Sequence, residues 1–199
     1  AVLPTRAGPE IGVASTKAFT AQLTVLLCFA VVFARAKGQI DEARAEAIHA
    51  EIQAWRGVVG KARGLFDALR PVQHQLSQAK SALYLGRGAL YPLALEGALK
   101  LKELSYIHAE GFASGEMKHG PIALIEEGLP VVALLAADAV MAKASSNLRE
   151  ASARGGKIIL LSEARAAAEV DYASAVITVP DVDPLLAPIL LAIPAQILA

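Results

Sequence analysis

Three charged side chains near the middle of the sequence recur at a spacing that brings them to one side of a helix. Glu96, Lys100 and Glu103 stand at positions i, i+4 and i+7, and a turn of about 100° per residue places them in one narrow file. Leucines fill most of the remaining circumference. Because a charge among apolar residues is costly unless it is paired, the file is either a structural ion-pair network or the lining of a cavity. In a cavity, the lysine would hold a carboxylate ionised and partial burial would keep it basic, which suits proton transfer on a sugar carbon.

A histidine downstream is a second acid–base candidate. His119 is followed by Gly120 and Pro121, so we expect it at a turn, where its ring is accessible and can titrate near neutral pH. His49 and His74 lie in amphipathic segments and are expected on solvated helix faces. His119 is therefore the preferred acid–base residue of the three.

The loop GPEIGVASTKAFT (8–20) is a candidate binding segment. A glycine-bearing loop that runs into a helix presents free backbone N–H groups and hydroxyls, which α/β folds use to hold polar or anionic small molecules. Glu10 adds a carboxylate to this loop. The alternative is that Ser15 is an ordinary N-cap with Lys17 in solvent, and spacing alone does not decide between the two.

Two other strings do not support a cofactor or a metal. Gly-Arg-Gly at 86–88 would need a third glycine where Tyr91 stands to make a dinucleotide fingerprint, so a tight turn is expected. The Glu-x-x-His string at 116–119 and the His-x-Glu string at 108–110 lack the cysteine partners of a zinc deaminase site. The sequence predicts no metal and no cofactor.

Composition narrows the class of protein. The 199 residues carry 19 basic and 19 acidic side chains and are 55% hydrophobic, which allows a large core but gives no basic footprint for nucleic acid or anionic membrane. Cys28 cannot form an intrachain disulfide, so a reducing compartment, the cytoplasm, is expected. No signal peptide is visible. The apolar runs 23–34 and 185–199 are short for a membrane span, and both are predicted as buried core helices.

The order of elements predicts an α/β fold. AVLPTRAGPE reads as the end of a strand, followed by an apolar helix to about residue 37 and amphipathic helix over 41–77. The runs SALYLG, PVVALLA, KIILLS and AVITVP read as strands separated by helices, and continuous apolar strands indicate a parallel sheet covered on both faces. The predicted organisation is the last part of one domain (1–40), a helical connector (41–73) and a three-layer αβα domain (74–199).

Three longer strings carry a family resemblance. GPEIGVASTKAFTAQL, LGRGALYPLALEGALKLKELSYIHAE and GEMKHGPIALI together resemble the isomerase half of the glutamine–fructose-6-phosphate aminotransferase family, which consists of two sugar-isomerase (SIS) domains. The match runs nearly the full length of the chain. It implies that 1–40 belongs to a first SIS domain and 74–199 to a second one without its C-terminal tail.

The resemblance also implies an activity and residue roles. The family is homodimeric and converts fructose 6-phosphate, with ammonia from glutamine, into glucosamine 6-phosphate. Val13, Ala14 and Ser15 match the loop that contacts the sugar, with Glu10 just before it. Glu103 matches the residue that moves the proton between C1 and C2, and Lys100 matches the lysine beside it. His119 matches the histidine that opens the sugar ring from the neighbouring subunit.

The sequence departs from this family in three places. It contains no Ser-x-Ser-x-x-Thr phosphate loop, it stops before the Arg-Asn-Leu-Ala-Lys tail with the Schiff-base lysine, and it has no N-terminal glutaminase domain, for which Cys28 cannot substitute. We therefore expect a fragment that cannot catalyse the full reaction alone. A stand-alone enzyme resembling glucosamine-6-phosphate deaminase and a phosphosugar-sensing module without catalysis remain the alternative hypotheses.

Overall fold

The computed structural model describes residues 2–61 and 64–199, which form two compact units divided after Lys61. Within 2–61 the first unit contains α1 (Lys17–Ala36) and α2 (Glu42–Lys61). The second unit alternates helices and strands. In chain order they are α3 (Leu65–Ser77), β1 (Ser81–Gly86), α4 (Leu90–Ser105), β2 (His108–Ala113), β3 (Pro130–Leu135), α5 (Met141–Ala153), β4 (Lys157–Glu163), α6 (Ala164–Ala167), β5 (Ala175–Val179) and α7 (Ala187–Leu198). The 3₁₀ turns Ser114–His119 and Pro121–Leu124 connect β2 to β3.

The strands of the second unit form one parallel sheet in the order β2-β1-β3-β4-β5. The strands predicted from apolar runs are confirmed as β1, β3, β4 and β5, and the three-layer α/β architecture is confirmed. β2 is not predicted by the sequence, because its string HAEGFA is not a continuous apolar run. As an edge strand it is covered less completely than a central one, so it can retain polar residues.

Helices cover both faces of the sheet, because successive side chains of a strand point to opposite faces. One face packs against α5, with Leu85, Ala133 and Leu160 in its core. The other face packs against α4 and α7, and α3 lies against α7. Tyr84 points to this second face, where its ring contacts α4.

The helix α3 belongs to the sheet unit. Its residues Leu69, Val72 and Leu76 are buried, and it contacts α7 and β5. The segment 41–73, expected as one connector, therefore includes α2 from the first unit and most of α3 from the second. The structural division falls after Lys61, not at 40 or 73.

The helix α1 corrects one prediction. The run 23–34 is part of a 20-residue helix in which no residue is buried, and Leu26, Phe29 and Val32 each expose more than half of their surface. Within 2–61 it packs against α2, and one helix cannot cover an apolar helix all round. Among the described residues, α1 is long and apolar enough by length and composition to cross a membrane. The prediction for 185–199 is confirmed, since most residues of α7 are buried.

The first ten residues also differ from their prediction. Residues 2–10 form no strand, although AVLPTRAGPE predicts the end of one. Pro4 and Pro9 have no backbone N–H to donate, and the structure describes no strand in 2–61 with which this segment could pair. The segment is therefore a loop that precedes α1.

Two glycines let α4 approach the sheet closely. A Cβ on Gly111 of β2 would lie 2.8 Å from the carbonyl oxygen of Ala94 and from the backbone of Leu95. A Cβ on Gly97 would lie 2.7 Å from the Tyr84 ring. Real Cβ atoms do not come this close to other atoms, so the spacing between α4 and its two neighbouring strands depends on these glycines.

We predict that Gly111→Ala lowers the free energy of unfolding by about 1–3 kcal/mol, the usual cost of overpacking, because backbone atoms of α4 cannot move aside. The matched control is Gly57→Ala on α2, where a Cβ would meet nothing within 4 Å and the change should be neutral or slightly stabilising. Denaturant unfolding of both variants measures the difference. Equal stability of the two variants would contradict the close approach.

Candidate active site

The helix α4 brings the charged file together as an ion-paired cluster. The Nζ of Lys100 lies 2.7 Å from Oε2 of Glu103 and 3.4 Å from Oε1 of Glu96. The file is therefore a three-residue network centred on the ammonium group. Its helical spacing is visible in the sequence, but the sharing of one ammonium by both carboxylates is visible only in the structure.

The three side chains of the file differ in exposure. That of Lys100 is 4% exposed, that of Glu96 17% and that of Glu103 31%. The network thus runs from an enclosed ammonium to a carboxylate that solvent or a ligand can reach. Among these residues, Glu103 is the one placed to contact a bound molecule.

Lys100 keeps its charge in spite of its enclosure. Burial would lower its pKa, but the hydrogen bond to Glu103 and the negative charges of Glu96 and Glu103 outweigh burial and raise the pKa above its ordinary value. At neutral pH the residue is therefore a cation. It can stabilise negative charge on a ligand, but it is poorly suited to accept a proton.

The apolar residues around the file divide into two groups. Leu93, Ala98 and Leu101 are buried against the sheet and α7, whereas Leu95 and Leu99 are about 40% exposed. The apolar residues that the sequence places around the charged file therefore form a buried face and a separate exposed stripe, and the charged file lies between the two. Tyr106 ends α4 in a left-handed conformation with φ of 60°, and the chain passes from there directly into β2.

His119 and Glu103 belong to segments that pack on opposite faces of the sheet. The end of α4 leads to the amino end of the sheet, where His108 of β2 pairs with Ser81 of β1. β2 then runs to Ala113 at the carboxyl end, roughly 16 Å away at strand spacing. The 3₁₀ turn that ends at the exposed His119 follows there. This turn packs against α5, where Lys118 pairs with Glu150 at 2.9 Å, whereas α4 covers the other face of the sheet. The second unit therefore brings Lys100 and Glu103 together and holds the segment that ends at His119 on the opposite face.

The loop residues proposed to contact a sugar lie in the first unit. Val13 is 90% exposed, Ala14 is buried, and Ser15 is partly exposed. These three residues immediately precede Thr16, the N-cap of α1. Ser15 is thus not the N-cap that the sequence predicts.

Glu10 supplies the cap of α1 from outside the helix. Its carboxylate accepts hydrogen bonds from the backbone N–H of Ala18 at 3.0 Å and from the N–H and hydroxyl of Thr16 at 3.3 Å. Desolvation would raise the pKa of Glu10, but these hydrogen bonds and the charge of Lys17 lower it below its ordinary value. Glu10 therefore satisfies helix N–H groups that would otherwise lack partners.

The glycine loop after β1 is a turn built around an arginine. Gly88 has a positive φ of 58°, and Nη1 of Arg87 donates a hydrogen bond to Oδ1 of Asn147 on α5 at 3.1 Å. A Cβ on Gly115 would overlap the Arg87 guanidinium. This arrangement fits the tight turn expected in place of a dinucleotide loop. Within 2–61 and 64–199, no group of three or more acidic, histidine or cysteine side chains could hold a metal ion.

Comparison with known proteins gives a family match and close relatives. The model of the SIS domain matches residues 75–199. All 199 residues of the chain align at 50% identity with the glutamine–fructose-6-phosphate aminotransferase (isomerizing) of Zymomonas mobilis. The protein of the same name from Brucella abortus aligns over the whole chain at 49% identity. The chain spans 33% of the length of each of these curated relatives.

Solved structures agree with the observed fold. The C-terminal domain of glucosamine-fructose-6-phosphate aminotransferase from Francisella tularensis superposes with a TM-score of 0.92 at 42% identity, covering 96% of this chain and 54% of that one. Glucosamine-6-phosphate deaminase from Thermotoga maritima superposes with a TM-score of 0.64 at 22% identity, covering 96% of this chain and 52% of that one. The second likeness concerns the fold alone.

We predict that Lys100→Met destabilises the protein by about 2 kcal/mol at neutral pH, because it leaves two carboxylates close together without their counter-ion. Lys102→Met, on an exposed position of the same helix, is the matched control and should change stability by less than about 0.5 kcal/mol. Denaturant unfolding measures both changes.

The difference in stability between the parent protein and Lys100→Met should depend on pH in a defined direction. The pKa of Lys100 is raised in the folded protein, so its stabilising contribution is fully present below the ordinary value of 10.5 and is lost as pH rises through the raised value. Above neutral pH, the stability gap between the parent protein and Lys100→Met should therefore stay constant until it narrows at strongly alkaline pH. A gap that closes near neutral pH would contradict a charged Lys100.

Proposed function

Because the chain belongs to the SIS domain family, we propose that it supplies isomerase chemistry to a glutamine–fructose-6-phosphate aminotransferase. That enzyme makes glucosamine 6-phosphate from fructose 6-phosphate and ammonia derived from glutamine. The observation that carries the proposal is the Lys100–Glu103 ion pair of 2.7 Å with its reachable carboxylate. The identity of about one half with curated relatives of that name, over every residue of the chain, supports it.

The proton-transfer step follows from the charge and exposure of the pair. Converting a ketose or its imine into an aldose removes a proton from C1 and returns one to C2, through an enediol or enamine intermediate. Glu103 is the base that takes and returns this proton, because its carboxylate is ionised beside an ammonium and open to a ligand. Lys100 holds Glu103 in place and stabilises negative charge that develops on the substrate oxygen.

Ring opening is assigned to His119 of a second copy of the chain. Aldose–ketose chemistry needs an open-chain sugar, and His119 is exposed on its 3₁₀ turn. Within one chain its turn packs against α5, on the face of the sheet opposite α4, so a site containing both residues requires two subunits. The proposal therefore includes a homodimer with shared active sites.

The remaining parts of the reaction belong to the rest of the longer protein. The chain spans a third of its curated relatives, and the proposed whole enzyme adds a glutaminase domain, a phosphate-binding loop and a Schiff-base lysine. In this proposal α1 and the Val13, Ala14 and Ser15 loop complete a first SIS domain, whose other elements cover the exposed apolar residues of α1. The sugar contacts of Val13, Ala14, Ser15 and Glu10 come from that domain, and the enzyme is cytoplasmic.

The first test is Glu103→Gln in the full-length protein. Loss of a general base slows a reaction by about 10²–10⁴-fold, and we expect a fall of this size in glucosamine 6-phosphate formation with little change in unfolding. Glu126→Gln is the matched control, since Glu126 is exposed and lies in the loop before β3.

Two outcomes would contradict the proposal. Retention of synthesis by Glu103→Gln would remove Glu103 from the proton transfer. A parent protein that makes no glucosamine 6-phosphate from fructose 6-phosphate would favour an alternative. Release of ammonia from glucosamine 6-phosphate would then indicate a deaminase, and binding of sugar phosphate without turnover would indicate a sensor.

The shared site has its own test, co-expression of Glu103→Gln and His119→Asn subunits. If His119 acts across the dimer, each mixed dimer contains one site with both residues intact, and random pairing restores about one quarter of the parent activity. Each variant alone should be inactive. If mixing restores nothing although mixed dimers are isolated, the histidine does not act across the dimer.

A further inference from the structure

We propose that Glu96 is a positioning residue for this reaction: it neutralises Lys100 from the enclosed side, so that Glu103 retains a net negative charge toward the substrate. The inference rests on the proposed function, because it assigns a role within the same proton-transfer step. Glu96 contacts Lys100 and does not touch the reacting carbon.

The geometry separates the tasks of the two carboxylates. Glu96 is the less exposed of the two and lies on the side of Lys100 nearer the start of α4, whereas Glu103 lies near the end of the helix. The Lys100–Glu103 contact is the shorter one, at 2.7 Å against 3.4 Å for Glu96. Glu103 is therefore fixed by a direct hydrogen bond, and Glu96 acts mainly through its charge.

Charge balance explains why a second carboxylate is needed. One ammonium and one carboxylate form a neutral pair, and an ammonium engaged with Glu103 alone would draw electron density from the base it supports. With Glu96 also ionised the network carries one net negative charge, and the attraction of Lys100 is divided. Glu103 is thereby held in position without losing its strength as a proton acceptor.

Among the described residues, the elements packed against α4 supply no other charge that could do this. The helix α4 packs against β1, β2, β3 and α7, and the titratable residues of these elements within the described chain are Tyr84, His108 and Glu110. Burial raises the pKa of Tyr84, so it is neutral. His108 and Glu110 face each other at 3.5 Å on the exposed edge strand, and the charges that raise the pKa of Lys100 come from Glu96 and Glu103.

The helix turn that bears Glu96 is held rigidly enough for this role. Gly97, the next residue, lies directly on the buried Tyr84 ring, and Ala98 and Leu101 are buried beneath it. The backbone at Glu96 therefore cannot shift without disturbing the contact with β1.

The test compares Glu96→Gln, Glu96→Asp and the control Glu126→Gln in the full-length protein. The carboxylates of Glu96 and Glu103 both contact Nζ of Lys100, so the two contacting oxygens lie within about 6 Å of each other. Removing one of the two negative charges at that distance should shift the acid limb of the pH–rate profile to lower pH by about one to two units. We expect kcat for Glu96→Gln to fall about 3–10-fold as the base weakens, with KM nearly unchanged. Glu96→Asp keeps the charge and should recover most of the loss.

A second measurement does not depend on activity. Titration of Lys100, followed by NMR of lysine labelled at its Cε, should show its pKa falling in Glu96→Gln and remaining closer to the parent value in Glu96→Asp. An unchanged pH–rate profile together with an unchanged Lys100 titration would reduce Glu96 to a structural ion pair.

If the parent protein is inactive on fructose 6-phosphate, the proposed function fails, while the titration still decides whether Glu96 sets the charge at Lys100. If Glu96→Gln does not fold, the same two measurements on Glu96→Ala decide, and an unchanged pH–rate profile with an unchanged Lys100 titration in that variant would overturn the proposal.

Discussion

The enclosed ammonium group of Lys100 is the constraint on which the candidate site depends. An amine taken out of water loses its charge unless negative groups compensate for the lost hydration. Here two carboxylates of the same helix provide that compensation at 2.7 and 3.4 Å. Because all three groups stand on consecutive turns of α4, the network is built by the helix alone and needs no loop to assemble it.

The rest of the second unit holds that helix in place. Gly97 and Gly111 allow α4 to lie against β1 and β2 at backbone distance, and α7 covers it from the side. Interiors packed this closely do not deform gradually. The position of Glu103 relative to the sheet is thus fixed by packing, while its side chain remains partly open, and this combination suits a catalytic carboxylate.

The sequence predicted the parts of the fold that depend on buried apolar runs. The strands β1, β3, β4 and β5 and the charged file could be identified because apolar strands and a helical period leave strong patterns. β2 could not, since an edge strand with His108, Glu110 and Gly111 resembles a loop. The N-cap of α1 was misassigned to Ser15, because the actual cap comes from the side chain of Glu10, six residues before Thr16. The apolar run of α1 predicted burial, but burial also depends on which elements surround a helix.

The sequence predicted only part of the candidate site. Spacing placed Glu96, Lys100 and Glu103 on one face, and the structure shows that they form an ion-pair network. The inner carboxylate stabilises the lysine and the outer one is accessible. The separation of Glu103 and His119 could not be predicted without β2, because that strand lies between α4 and the 3₁₀ turn that packs against α5 on the other face of the sheet.

The central claim is that one carboxylate of this chain carries a proton between adjacent carbons of a sugar phosphate. The most direct measurement uses fructose 6-phosphate labelled with deuterium at C1, converted by the full-length protein in ordinary water and analysed by NMR at C2 of the product. C1 carries two hydrogens and only one is removed, so when both are deuterium one should remain on C1 of the product. If Glu103 takes and returns the other, part of it should appear at C2 and the remainder should be lost to solvent. Deuterium that stays entirely on C1 of the recovered sugar would contradict the account.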